Sequence, residues 1–266
     1  MSAGRGREKW SEKVRFAGKS DKGLSRRNNE DAYCIVDLRD SLGVVVAAVA
    51  DGMGGHRAGN IASKMAIEQI QNSLEEEPIN TESFQAIKDR LKDILEVANN
   101  AVFDKSLTDP KCGGMGTTLT IAVIGKDSVV FAHVGDSCAF YLSGGEMNKV
   151  TTDHTYVEEL VRLGSITREE AMTHPQRNYI TKAVGCFDDV SADYYSVKLI
   201  PGDRVLLCSD GLNKMLSDSE IAKIVYDSDN PEGICAVLID QANIKGGLDN
   251  ITAVVFLNLD EVESNG

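Results

Sequence analysis

The feature that most constrains this fold is a series of short apolar runs that only tight turns separate. The runs are rich in valine, isoleucine and aromatic residues, which favour strands, and they occupy residues 117–124, 128–134 and 139–142. The turns at 125–127 and 143–145 can join antiparallel neighbours, but they leave no room for the crossover helix that parallel strands need. The sheet is therefore predicted to be largely antiparallel.

Further runs predict how this sheet is covered. More strands are predicted at residues 43–50, 195–199, 205–208 and 251–257. Apolar residues at helical spacing, with capping signals at Ser217 and Asn230-Pro231, predict helices at residues 61–74, 84–102, 217–226 and 231–242. Helices with one apolar side pack on a sheet. We therefore expect an α+β fold, a four-layer αββα sandwich of two mostly antiparallel sheets flanked by helices.

A polar, locally helical segment at residues 153–185 lies between the two groups of strands. Predicted capping boxes run from Thr155 to Glu158 and from Thr167 to Glu170, and Gly164 is a predicted helix stop. The residues alone leave two interpretations open, an ordinary surface excursion or an inserted flap. We expect one domain over residues 13–260, with the flap at about 153–192, between polar tails at 1–12 and 261–266.

Composition excludes several classes of protein. The net charge of −13, from 41 acidic and 28 basic residues, argues against a partner as acidic as a nucleic acid. The longest apolar run, at residues 44–50, is far shorter than the roughly 18 residues that span a bilayer, and no signal segment opens the chain. The six cysteines show no paired short spacing and are expected to be reduced core thiols. These observations predict a cytoplasmic protein without membrane contact.

The chemistry is indicated by four aspartates, each next to Gly or Asn at the end of an apolar run: Asp51, Asp136, Asp210 and Asp249. Any one of them alone is more often a turn residue than a ligand. Four such ends can converge at one rim of a sandwich, where cations must neutralise them. Oxygen ligands favour Mg²⁺ or Mn²⁺, and two such ions sharing a carboxylate can activate a water for attack on phosphorus.

A further cluster, at residues 26–31, joins Arg26 to the acids Glu30 and Asp31. Arginine binds phosphate oxygens through two parallel hydrogen bonds. In isolation the cluster is more typical of an exposed charged turn than of a phosphate site.

Together these residues resemble the metal-dependent protein phosphatases of the protein phosphatase 2C type, especially the bacterial branch that opposes Ser/Thr kinases. The resemblance extends from about residue 14 to residue 257. It rests on an ordered series of motifs, Arg26-x-x-Asn29-Glu30-Asp31, Asp51-Gly52-Met53-Gly54-Gly55, Gly116-Thr117-Thr118, Gly135-Asp136-Ser137, Ser209-Asp210-Gly211 and Asp249-Asn250.

The resemblance implies a serine/threonine phosphatase in which Asp51 bridges two metal ions. The carbonyl of Gly52 would bind one ion, and Asp210 and Asp249 would bind the other. Asp136, with Asp210, would hold a third, weaker ion.

In the same resemblance, Glu30 and Asp31 would orient water on the ions, and Arg26 would anchor the phosphate. Residues 153–185 match the bacterial flap, which favours the flap interpretation. The implied partners are phosphorylated proteins, including a Ser/Thr kinase, and the implied state is a monomer.

The chain departs from the family pattern at two positions. Cys138 stands where an arginine usually follows Gly-Asp-Ser, so a contact of that arginine is missing or replaced. Met53 stands where animal relatives carry a histidine proposed as general acid, and His56 is a weak substitute.

Two alternatives from other functional classes are less consistent with the sequence. A pseudophosphatase that binds phosphoproteins without hydrolysis would have lost a metal aspartate, but all four are present. A metal-dependent nuclease also uses two ions on carboxylates, but the acidic balance and the lack of a basic track argue against it.

Overall fold

The computed structural model describes residues 10, 14–54 and 58–259, which form two antiparallel sheets with helices on their outer faces. The strands of this part of the chain are β1 (Val14–Asp21), β2 (Asp31–Leu38), β3 (Val44–Met53), β4 (Gly116–Thr117), β5 (Leu119–Ile124), β6 (Ser128–Val134), β7 (Cys138–Ser143), β8 (Glu146–Lys149), β9 (Asp193–Lys198), β10 (Arg204–Cys208) and β11 (Ile251–Asn258). The helices are α1 (Ala58–Glu76), α2 (Phe84–Thr108), α3 (Tyr156–Arg162), α4 (Arg168–Thr173), α5 (Asp210–Asn213), α6 (Asp218–Tyr226) and α7 (Pro231–Ile244).

The first sheet has the strand order β1-β11-β10-β7-β8, and the second has the order β2-β3-β5-β6-β9 with β4 paired to β3. All of these pairs are antiparallel. The predicted antiparallel architecture is confirmed. Strand β1 is absent from the sequence prediction; it pairs along its whole length with β11.

Strand β3 shows how the layers are built, because both of its faces are buried. Val45, Ala47 and Val49 point into the core between the two sheets, whereas Val46 and Ala48 pack in the core that the second sheet shares with α1 and α2. A third core lies between the first sheet and α5, α6 and α7. Three apolar layers between four structural layers confirm the predicted αββα sandwich.

The predicted capping signals are largely confirmed. Complete capping boxes open α4 at Thr167 and α6 at Ser217. Thr155 accepts a hydrogen bond from the backbone N–H of Glu158, which is one half of the predicted box. Gly164, at φ 69°, follows the end of α3, a conformation that glycine adopts without strain. Helix α1 extends beyond its predicted range at both ends, and α2 extends beyond its predicted range at the C-terminal end.

The cysteines agree with the expected reduced thiols, since all six are free and five are buried, with Cys186 exposed. None of the helices in the described ranges combines the length and apolar character that crossing a bilayer requires. Trp10, within the segment predicted as an N-terminal tail, is buried against the core between the sheets. The rest of that segment and residues 261–266 lie outside the described residues, and the domain boundaries stay predictions.

Candidate active site

Strands β2 and β3 place two of the predicted acids opposite each other, because Asp31 and Asp51 are register partners. The Asp51 backbone is fixed on its other side. Its N–H donates to Thr118 Oγ1 at 2.8 Å, and its carbonyl accepts from the Thr118 N–H at 2.9 Å and from Thr117 Oγ1 at 3.0 Å. These bonds hold the end of β3, and with it the Asp51 carboxyl, in one position.

Gly52 lies where β3 meets the start of α1. A Cβ atom at this position would lie 2.0 Å from the carbonyl oxygen of Gly59, and the Gly52 N–H donates to the Glu30 carbonyl at 3.1 Å. Only glycine allows so close an approach of the strand to the helix. The sequence therefore needs Gly52 for backbone packing, whatever its carbonyl binds.

Asp136 and Asp210 enter the site from the connections that follow β6 and β10. Before Asp136, Gly135 has φ 111° and exchanges two hydrogen bonds with His154, one from its N–H to Nδ1 at 3.0 Å and one from the His154 N–H to its carbonyl at 2.7 Å. Asp210 is the first residue of α5, directly after Ser209. Asp249 precedes β11.

The predicted residues meet in one cleft of about 270 Å³. Its walls include every predicted site residue except Asp31, namely Arg26, Glu30, Asp51, Gly52, Asp136, Asp210 and Asp249. Asp31 is buried behind them, where its Oδ2 accepts from Ser209 Oγ at 2.7 Å and from Thr252 Oγ1 at 2.6 Å. The four strand ends thus converge at one rim of the sandwich, as the sequence predicts.

The cleft crowds negative charge. Burial, followed by the charges of Asp31, Asp210, Asp136 and Asp249, raises the pKa of Asp51 well above its usual value. Burial raises the pKa of Asp31 to about 7 against the bonds from Thr252 and Ser209, and burial with the charge of Asp210 raises the pKa of Asp136 to about 7. Carboxyl groups that raise one another's pKa in this way need a cation to ionise at neutral pH.

The donor set fits hard divalent cations. One oxygen of each of Asp31, Asp136 and Asp210 is buried without a hydrogen-bond partner in the described structure. Such atoms are costly unless something binds them, and carboxylate oxygens are the preferred ligands of Mg²⁺ and Mn²⁺.

Two of the carboxylates are held by basic side chains instead. Asp249 binds Arg26 and Asp210 binds Lys214. With these pairs formed, no three acidic, thiol or imidazole groups of the described ranges are arranged as a ready metal cage. Asp210 nevertheless keeps one carboxylate oxygen without a hydrogen-bond partner while the other contacts Lys214.

Arg26 lies at the mouth of the cleft. Its Nη2 is 2.7 Å from Asp249 Oδ2, and its side chain is 54% exposed. The hydrogen bond to Asp249 is the largest of the contributions that raise its pKa. A guanidinium at this place can meet an incoming phosphate without moving the backbone.

Asn250 has a role that the sequence reasoning missed. Its Oδ1 accepts from the Glu30 N–H at 2.8 Å, and its Nδ2 donates to the carbonyls of Lys22 at 2.8 Å and Asn28 at 2.9 Å. This one side chain fastens the loop that carries Arg26 to the strand end that carries Asp249. The only signal in the sequence is the position of Asn250 directly after Asp249.

The segment at 153–192 borders the cleft. Asn178 and Ile180 line it, and a second groove of about 370 Å³ continues from Asp136, Asp210 and Lys214 along α3 and α4. The segment therefore lies beside the cleft, and its action as a flap stays a prediction.

The two departures from the family pattern have different outcomes. Cys138 is buried directly opposite Cys208, and its Sγ accepts a hydrogen bond from Asn213 Nδ2 at 3.0 Å. Beside it, Lys149 Nζ lies 2.7 Å from both oxygens of Asp153. A lysine thus supplies a positive charge near the position where the family has an arginine. Met53 lines the cleft, and His56 lies outside the described residues.

Comparison with known proteins adds independent findings. The sequence pattern of the family described as Protein phosphatase 2C matches residues 24–230. Protein phosphatase PhpP of Streptococcus pneumoniae is 38% identical over 245 residues, covering 92% of this chain and 98% of the relative.

Solved structures agree. The S. agalactiae serine/threonine phosphatase has a TM-score of 0.86 and 36% identity, with 93% of this chain and 100% of that chain covered. The catalytic domain of the serine/threonine protein phosphatase PstP, solved in complex with two manganese ions, has a TM-score of 0.79 and 33% identity, with coverages of 93% and 99%.

Proposed function

Because the chain belongs to the protein phosphatase 2C family, a metal-dependent family, we propose that its aspartate cleft uses two divalent ions to hydrolyse phosphoserine and phosphothreonine. The chain is a hydrolase of the protein serine/threonine phosphatase class and acts on phosphorylated proteins. The observation that carries the proposal is the convergence of Asp51, Asp136, Asp210 and Asp249 on one cleft with unbonded buried oxygens.

Each residue has a separate proposed role. Asp51 would bridge the two ions, the carbonyl of Gly52 would bind one of them, and Asp210 and Asp249 would bind the other. The ions, Mn²⁺ or Mg²⁺, supply a water activated for attack on phosphorus and neutralise the crowded carboxylates. The two manganese ions in PstP favour Mn²⁺.

The residues around this centre position water and phosphate. Glu30 faces the cleft, and Asp31 is buried behind it, held by two hydroxyl groups. Both would orient water on the ions. Arg26 would exchange its bond to Asp249 for two hydrogen bonds to phosphate oxygens, which spread the charge of the transition state. Asp136 completes the acidic wall next to Asp210.

The biological setting is part of the proposal. Six free thiols support a reducing, cytoplasmic location. Activity as a monomer is part of the proposal. The substrates would include a Ser/Thr kinase whose signalling the phosphatase reverses.

The test is hydrolysis of a phosphothreonine peptide with Mn²⁺ by the wild type and by Asp51→Asn. We expect the variant to lose about a thousandfold or more in kcat/KM, because the bridging carboxylate creates the reactive centre. Asp240→Asn, which changes an exposed acid on α7, is the matched control and should leave kcat/KM unchanged.

A chelator supplies the second arm of this experiment. Excess chelator should abolish hydrolysis, and added Mn²⁺ should restore it. Near-normal turnover by Asp51→Asn, or full activity in chelator, would refute the two-ion mechanism.

A further inference from the structure

Lys214 is a basic residue that lines the acidic cleft, and the proposed phosphatase mechanism does not use it. It directly follows α5, one turn after Asp210, and its Nζ is in contact with Asp210 Oδ2. Its side chain lines both the cleft and the groove beside the flap. The lysine therefore stands on the side of the site formed by Asp136 and Asp210.

The ion pair of Lys214 is less exposed than an ordinary surface pair, because its side chain is 42% exposed and that of Asp210 only 11%. Burial disfavours its charge, but Asp210, Asp136 and Asp249 together raise its pKa above the usual value. Three carboxylates thus act on one ammonium group. The pair on α2 between Lys92 and Glu96, by comparison, has both partners more than half exposed.

The charges of the site balance with two divalent ions, without a third metal ion. The acids are Glu30, Asp31, Asp51, Asp136, Asp210 and Asp249, which carry six negative charges when ionised. Two divalent ions return four charges, and Arg26 and Lys214 return one each. A further divalent ion at Asp136 and Asp210 would add unbalanced positive charge next to an ammonium group, which repels it.

We propose that the ammonium group of Lys214 takes the place of the third ion that the sequence motifs predict at Asp136 and Asp210, so that this chain binds two divalent ions. The proposal rests on the proposed two-ion function. It assigns Lys214 a positioning role, since it holds Asp210 and supplies a fixed positive charge at the junction of cleft and groove. That charge does not depend on the concentration of metal.

The test counts bound ions directly. Mn²⁺ is titrated calorimetrically into chelator-treated and dialysed wild type, Lys214→Gln and Lys223→Gln, and the bound metal is confirmed by elemental analysis. Lys223 is an exposed lysine on α6 and is the matched control. We expect two ions in the wild type and in Lys223→Gln, and a third, weaker ion in Lys214→Gln.

The size of the effect follows from the charge removed. Loss of one positive charge a few ångströms from the carboxylates should tighten binding of a third Mn²⁺ by about tenfold or more. Asp136→Asn introduced together with Lys214→Gln should abolish the third site again, which places it at Asp136. Thermal unfolding of each variant confirms that it is folded.

The outcomes are distinguishable. Three ions in the wild type, or two ions in both the wild type and Lys214→Gln, would overturn the role of Lys214 and leave the two-ion function intact. No bound Mn²⁺ in the folded wild type would overturn the two-ion function itself. Two ions that become three in Lys214→Gln alone support both.

Discussion

The two ends of the sandwich differ in how buried charge is compensated. At the end away from the cleft, Asp203 is buried but accepts hydrogen bonds from the Ile200 N–H at 2.7 Å and from the Tyr141 hydroxyl. Arg204, the first residue of β10, donates to the carbonyls of Val225 and Ser228 and to Asp229. Asp203 and Arg204 thus both have partners supplied by the protein, with Arg204 Nε as the one buried atom of the pair that lacks a hydrogen bond in the described structure.

The cleft end, where strand ends of both sheets meet, lacks complete compensation of this kind. Burial, followed by the charges of neighbouring carboxylates, raises the pKa values of Asp31, Asp51 and Asp136, and one oxygen each of Asp31 and Asp136 has no hydrogen-bond partner in the described structure. The contrast teaches that one end of the sandwich stabilises the fold and the other keeps binding capacity for cations at a cost in stability.

The largest effect should follow from disturbing the backbone of the cleft end with Gly52→Ala. The added Cβ meets the Gly59 carbonyl at 2.0 Å, so β3 and α1 must separate. We expect about 1–3 kcal/mol of destabilisation and at least about a hundredfold lower kcat/KM on a phosphopeptide, because small displacements of catalytic groups are that costly.

Gly113→Ala is the control for this change. Its added Cβ has no neighbour closer than 3.7 Å and its φ is −54°, so stability and activity should stay near those of the wild type. Equal behaviour of the two variants would contradict the tight packing inferred at Gly52.

The far end should show the reverse pattern, with a loss of stability and no loss of activity. Arg204→Met keeps the apolar stem but leaves the Val225 and Ser228 carbonyls without their donor. We expect about 1–3 kcal/mol lower free energy of unfolding in urea, with unchanged kcat/KM in Mn²⁺. A tenfold fall in kcat/KM in the folded variant would show that the two ends are not independent.

The smallest effect concerns pH. The pKa values of Asp31 and Asp136 are raised to about 7 in the folded protein from 3.8, so their contribution to stability is full below about pH 4 and is lost as pH rises through about 7. In chelator, the melting temperature should fall by a few degrees between about pH 5.5 and pH 8.

Ions should remove this dependence, because Mn²⁺ binds the ionised carboxylates and stabilises the protein most at the higher pH. Asp31→Asn should flatten the slope measured in chelator. A melting temperature that rises with pH in chelator would show that the cleft carboxylates do not repel one another as inferred.

The sequence predicts those features whose pattern lies within a short stretch of neighbouring residues, and it does not predict contacts between residues far apart in the chain. Asp51, Asp136 and Asp210 were found because an apolar run followed by Asp is visible within ten residues. Asn250 was missed as a connector because its partner Glu30 is 220 residues away. Lys214 was missed because only the short helix α5 brings it back to Asp210.

Strand β1 was missed for a related reason. Its residues are of mixed polarity and contain Gly18, so the pattern does not show the alternation of a strand. It exists because β11 supplies a complete set of backbone partners. Pairing between segments so far apart in the chain cannot be seen in a local window.

The pairing of β1 with β11 also determines at which stage of chain synthesis the active site can form. Arg26 and Asp249 meet only after β11 (Ile251–Asn258) has joined β1, with Asn250 fastening the loop between them. A ribosome must therefore deliver nearly the whole described chain before the phosphate anchor and the carboxylates can face each other. The catalytic cleft is therefore complete only after the segment that contains Asp249 and β11 has been synthesised and has paired with β1.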